Sequence, residues 1–217
     1  MNTPVQRRTL LKTGLTLAAV TGVGLTLGSA ATAAAAPVAQ QRANPTLVGK
    51  DSVNGWAMET GIDQGGAIWT RAVAGSALAV PVRIGAVATV LLHVVRRYNY
   101  EIDTLRSGEV VGFRPYTEQL NGVETNHASG TAVDIRPGWY PDGAKGGLRK
   151  RELAVVRDIL RDCDGVVRWG GDLSRPAESH FEIAVRPGDP RLAALAEKLT
   201  EWNAHPGKGA GVLTNGS

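Results

Sequence analysis

The chain has 217 residues, 43% of them hydrophobic and 20% charged, which is enough apolar material for one domain with an ordinary core. Its formal charge is +4, but Arg7, Arg8 and Lys12 lie in a leader, and taking these three away leaves about +1; with no basic stripe interleaved with aromatics, a nucleic-acid partner is not expected. Cys163 is the only cysteine, so an intrachain disulfide is excluded and the residue reads as a small buried side chain.

Residues 1–35 read as an export signal rather than structure. Arg7-Arg8-Thr9-Leu10-Leu11-Lys12 resembles the twin-arginine signal, and the apolar run Leu15 to Leu27 follows it. That run is too short and Gly-rich for a membrane span. Cleavage is expected at Ala33-Ala34-Ala35, because Pro37 disfavours cutting directly before it; an uncleaved anchor is the alternative. The twin-arginine export machinery is therefore an expected partner, and the destination is extracellular, cell wall or periplasm.

Residues 36–75 read as a linker and an irregular, Gly-rich segment holding Trp56 and Trp69, with short strands as an option. The main domain is expected at 76–205. Ile84, Val87, Leu91, Val94 and Tyr98 recur at three and four residues and predict a helix over 83–98, with Pro81 near its start. His93 lies off that stripe and reads as a surface or satisfied helical histidine. Val110 to Phe113 predicts a strand leading to Arg114-Pro115.

The stretch Asn126 to Pro137, NHASGTAVDIRP, carries the first chemical signal. Thr131 to Ile135 predicts a short strand after a tight turn at Ala128-Ser129-Gly130. Alternation puts Ala132 and Asp134 on one face and Thr131, Val133 and Ile135 on the other. His127, just before the turn, can fold back toward the Asp134 carboxylate. A loop over 138–147 and a helix over 148–162, with Leu153, Val156 and Leu160 on one side, come next. Val166 to Trp169 predicts a strand closed by Gly170-Gly171.

Glu178 to Ala184 predicts another strand, with Phe181 and Ile183 on one face and Glu178, His180 and Glu182 on the other. Two imidazoles and one carboxylate from separated segments form the ligand set of a catalytic zinc site, which keeps a fourth position open. On that pattern His127, Asp134 and His180 are the candidate ligands, and Glu178 stands beside the last one as candidate base. Glu182 is either a surface residue or a partner for a ligand. Asp189-Pro190 starts a last helix, with Leu192, Leu195, Leu199 and Trp202 on its buried face. His205 is expected in solvent, and 206–217 reads as a flexible tail.

HxxGxAxD over His127 to Asp134, together with Glu178-Ser179-His180-Phe181-Glu182, resembles the zinc D-Ala-D-Ala peptidases. That family includes the vancomycin-resistance D,D-peptidases and the phage L-alanyl-D-glutamate endopeptidases. Gly112-Phe113-Arg114 and Trp169-Gly170-Gly171-Asp172 are similar to two further elements of the family, in the same order. The resemblance covers roughly residues 76–186. It implies an α+β fold, a small antiparallel sheet flanked by helices and hedgehog/DD-peptidase-like. It implies Zn2+ held by His127, Asp134 and His180, with Arg114 stabilising the oxyanion or holding substrate. The implied activity is hydrolysis of peptidoglycan stem peptides at a bond involving a D-amino acid. Apart from the resemblance, a monomer is expected.

The family carries its general base three positions before the last histidine. This chain has Ala177 there and Glu178 one position later; Asp172 is the fallback. Two other classes of function stand beside this one, the first of them favoured by that departure. One is a metal-containing module that binds cell-wall peptides without cutting them. The other is a structural zinc domain, closed by a fourth protein ligand such as Glu182.

Overall fold

The computed structural model describes residues 44–205. The expected signal peptide, the first part of the linker and the 206–217 tail lie outside the described residues. In chain order the strands are β1 (Leu47–Asp51), β2 (Ala57–Glu59), β3 (Ile68–Ala72), β4 (Ala79–Arg83), β5 (Val110–Val111), β6 (Ala132–Ile135), β7 (Val167–Trp169) and β8 (His180–Ile183). The helices are α1 (Ala86–Glu101), α2 (Thr125–Ala128), α3 (Lys150–Asp162) and α4 (Pro190–Ala204). The fold is mixed α+β, with small antiparallel sheets and four α-helices among the described residues.

The sheet that matters for function has the order β5-β6-β8-β7, antiparallel throughout. Its register sets Asp134 opposite His180, Val133 opposite Phe181 and Ala132 opposite Glu182. Side chains alternate faces along a strand, so one face collects Asp134, His180 and Glu182. The other face seats Val133, Ile135, Phe181 and Ile183 in the main apolar core with Leu91, Val94 and Tyr98 of α1. A one-residue slip would exchange the two faces, so the apolar set holds the polar set in place.

Several expectations meet their residues directly. α4 starts as expected, with the Asp189 carboxylate accepting the Arg191 N–H at 2.9 Å and Pro190 in the first turn. Leu192, Leu195 and Leu199 are buried on its inner face, and His205 is exposed. Cys163 is fully buried, and burial pushes its thiol up to about 12, so it is an inert core residue.

Others need correction. The first helix runs over 86–101 rather than 83–98. Gly85 precedes it with φ of 82°, a conformation that separates helix from strand. Pro81 sits in β4, not at the helix start; β4 is half of a two-stranded hairpin, where a missing N–H is tolerated. Ile84 is exposed ahead of the helix, while Val87, Leu91, Val94 and Tyr98 are buried. His93 is buried, not at the surface, and its Nε2 has no hydrogen-bond partner, so it is not a satisfied histidine either.

The segment expected as linker and irregular structure is partly a packed hairpin. β1 pairs with β2, and the turn between them binds the site elements. Asn54 Nδ2 donates to Thr131 Oγ1 and to the Ile183 carbonyl, and Trp56 Nε1 donates to the Val185 carbonyl. The last strand begins at His180, not at Glu178. The His180 N–H donates to the Ala177 carbonyl at 3.0 Å, so Glu178 and Ser179 form a turn.

Candidate metal centre

Two glycines bring the first histidine into place. Gly130 ends the turn after α2 with φ of 67°, and a Cβ there would stand 2.8 Å from the Arg83 backbone nitrogen. Gly112 passes so close to the Pro81 carbonyl that a Cβ would stand 2.2 Å from it. This close approach puts the Gly112 carbonyl 2.6 Å from His127 Nδ1. A carbonyl only accepts, so His127 Nδ1 carries a proton and donates it.

His127 is wholly buried, and its Nε2 lies 3.2 Å from Asp134 Oδ1 without the alignment of a hydrogen bond. The same Asp134 oxygen lies 2.8 Å from His180 Nδ1. His127 and His180 meet edge to face, with ring centroids 5.2 Å apart. His180 Nε2 in turn lies 3.2 Å from Glu182 Oε2. Glu182 is buried and also accepts from Asn126 Nδ2 and, at 2.5 Å, from Arg168 Nε. Glu182 is therefore a partner of a candidate ligand and not a surface residue.

Burial works against charge on the Asp134 carboxyl, but the adjacent His127 and His180 rings override it and hold the group well below the usual carboxylate range. Burial likewise disfavours an imidazolium at His180, but Asp134 and Glu182 raise that ring to about 9. Glu182 is held below the ordinary glutamate value: burial opposes this, and His180 and Arg168 override it. The centre is thus a buried anionic pocket balanced by imidazoles and two arginines.

One donor atom from each of Glu124, His127, Asp134 and His180 lies within 4.8 Å of all the others. The group is compatible with a metal ion. With its Nδ1 proton committed to Gly112, a neutral His127 faces Asp134 with a lone pair, and a cation between the two would relieve that repulsion. Imidazole and carboxylate are the donor types of zinc and similar divalent ions.

The three expected ligands are brought together. Arg114 is there as well: it donates to Asp134 Oδ2 at 2.6 Å and pairs with Glu124, so it bridges two carboxylates. Glu178 is placed elsewhere. Its Oε1 accepts the Gly146 N–H at 2.7 Å and its Oε2 the Gly147 N–H at 2.8 Å, so it clamps the loop over 138–147. The alternation that put it beside His180 fails because residue 178 is in the turn, outside the strand. Asp172 is also away from the group, paired with Arg157 at the surface.

Glu124 is the member that the sequence reading missed. It lies three residues before His127 and both have right-handed helical backbone, which puts them on one side of the turn. The E-x-x-H spacing was visible, but it sits in a Gly- and Asn-rich stretch with no apolar periodicity to announce a helix. Glu124 also lines a cavity of about 390 Å³, together with Asn121, Gly122, Asp142, Arg175 and Ala177. The metal-compatible group therefore has a solvent side. Comparison with protein-family models, curated proteins and solved structures finds no match to this chain.

Proposed function

We propose that this chain is a zinc-dependent peptidase of the D-Ala-D-Ala carboxypeptidase type, with a hedgehog/DD-peptidase-like fold. Its substrates are peptidoglycan stem peptides cut at a bond involving a D-amino acid, and it works as a monomer outside the cytoplasm after twin-arginine export. The observation that carries this reading is the buried His127 Nε2, left without a hydrogen bond 3.2 Å from Asp134 Oδ1, while His180 Nδ1 approaches the same oxygen. His127, Asp134 and His180 would hold the ion. When bound, zinc supplies Lewis acidity to a scissile carbonyl and to an attacking water.

The chain's own residues do the rest. Glu182 orients His180 from behind, and the Gly112 carbonyl fixes the tautomer of His127. Arg114 steadies Asp134 and presents positive charge beside the cleft, where a developing oxyanion or a substrate carboxylate would lie. The cavity beside Glu124 is open to a peptide end and is lined by both Asp142 and Arg175, so it can meet either charge on that peptide.

The reading is tested by loading the protein with zinc and incubating it with wall peptides ending in D-Ala-D-Ala, with products followed by mass spectrometry. The expected result is release of a D-amino acid or a shorter stem peptide, lost in His127→Ala. Binding without cleavage would replace it with the second reading, a wall-peptide binding module. Two observations favour that alternative: Ala177 carries no acid, and the Glu178 carboxylate is committed to the Gly146 and Gly147 amides.

A further inference from the structure

We propose that Glu124 is the general base of this cleft, standing in the cavity that Ala177 also lines; the inference rests on the peptidase reading above. Hydrolysis of an amide needs a group that takes a proton from water and returns one to the leaving amine. The position three residues before His180 is Ala177, and the next acid, Glu178, spends both oxygens on backbone N–H groups. The second fallback, Asp172, is tied to Arg157 at the surface. Glu124 differs from both. It reaches the three buried candidate ligands to within 4.8 Å, and it also lines the cavity through which a peptide would enter.

Its partners support the same role. Among the described residues, its one side-chain partner is Arg114, which binds through Oε2 and leaves Oε1 without a hydrogen bond. Arg114 is itself anchored on Asp134, so Glu124 is held by the same residue that braces the ligand set. The side chains of His127, Asp134 and His180 are at most 6% exposed, whereas that of Glu124 is 34% exposed. An acid on the open side of a buried ligand set stands where water and substrate meet it.

In the step we propose, Glu124 accepts a proton from water as the water oxygen attacks the scissile carbonyl carbon. A C–O bond forms and the carbonyl becomes an oxyanion. The oxyanion then collapses, the C–N bond breaks, and Glu124 returns the proton to the departing amine. Water and amide are consumed, acid and amine are formed, and Glu124 ends as it began.

The test compares wild type with Glu124→Gln, Glu124→Asp and Asp172→Asn, using zinc, a zinc chelator and a D-Ala-D-Ala-ended wall peptide. Glu124→Gln should lose no more zinc affinity than the about 10–100-fold typical of residues that support a ligand set, well short of the loss in His127→Ala. It should bind the peptide by calorimetry and lose about 10²–10⁴-fold in kcat with little change in KM. Glu124→Asp should recover part of that loss, and Asp172→Asn should resemble wild type. Loss of zinc from Glu124→Gln, as severe as from His127→Ala, would make Glu124 a ligand and overturn the proposal. Wild-type turnover in Glu124→Gln would also overturn it, while leaving the peptidase reading intact. Absence of cleavage by zinc-loaded wild type would remove the peptidase reading, and the base with it.

Discussion

Two regions of the molecule bury histidine, and they treat it in opposite ways. On the polar face of the β6–β8 pair, His127 and His180 lie against Asp134 and Glu182. Between α1 and α4, His93 lies beside Trp202 with Arg96 at its Nδ1, and Arg97 and Lys198 add further positive charge. Burial disfavours charge in both places. Acids reverse this at His180 and raise it to about 9, whereas cations reinforce it at His93, which falls to about 3. The same side chain is thus prepared for a cation in one region and kept neutral in the other. Burial alone does not decide the charge of a histidine; the sign of its neighbours does.

The largest expected effect separates the two regions by metal. Zinc at about a thousandfold excess over its dissociation constant should stabilise the wild-type fold by about 4 kcal/mol, read as a rise in Tm. His127→Ala and His180→Ala should lose most of that rise. His93→Leu should keep it. Equal zinc stabilisation of wild type and His127→Ala would break the comparison, because the acid-lined region would then be no different from the other.

A smaller effect probes how the acids support the ligand. Glu182 links His180 to Asn126 and Arg168, and Glu182→Gln keeps its shape while removing its charge. Zinc affinity measured by chelator competition should fall about 10–100-fold, as for other partners of a ligating histidine. Unchanged affinity would mean that His180 is oriented by its packing alone.

The division between the two regions was partly legible in the sequence. Val133, Ile135, Phe181 and Ile183 alternate with Asp134, His180 and Glu182, and period-two alternation is the signal that survives into the sheet. Asp189-Pro190 announced α4 for an equally local reason. What could not be read was decided by contacts across the fold. β4 hides behind a proline that is tolerated only because of where its strand sits in the hairpin. Glu178 leaves the ligand face because a turn closes on Ala177, which no alternation pattern shows. Glu124 carries only the E-x-x-H spacing and His93 lies off its helix stripe. Part of what surrounds them, His180 and Arg175 for Glu124, Lys198 and Trp202 for His93, comes from segments tens of residues away.

Glu178 offers the third test, because it divides the site from the loop beside it. Its oxygens hold the Gly146 and Gly147 amides, and the Gly143 N–H donates to the Pro176 carbonyl at 2.6 Å. Glu178→Gln would set an NH2 group against one of those N–H groups. The expected cost is about 1–3 kcal/mol in chemical denaturation, with faster proteolysis between residues 138 and 147. Zinc affinity should not change. A fall in zinc affinity as large as that of Glu182→Gln would show that the loop and the metal-compatible group are one unit.

The last and smallest effect comes from His93 and is read in acid. Its folded-state value, about 3, lies below the ordinary 6.5, so the unfolded chain binds the proton first. Stability therefore rises with pH through this interval, and the contribution of neutral His93 is complete above 6.5. As pH falls from 6.5 toward 3 that contribution is lost, at a limiting slope of about 1.4 kcal/mol per pH unit. Asp134 and Glu182 also titrate in acid, so wild type alone cannot isolate the term. The difference between wild type and His93→Leu can, because the acids are common to both. Leucine also removes the buried Nε2 that has no partner, so the variant should equal or exceed wild type at neutral pH. Urea titrations at pH 7.5 and 5.5 should show wild type losing about 1 kcal/mol more than His93→Leu. An equal loss in both proteins would mean that His93 takes up its proton in the folded state, and that the positive charges of Arg96, Arg97 and Lys198 do not govern it.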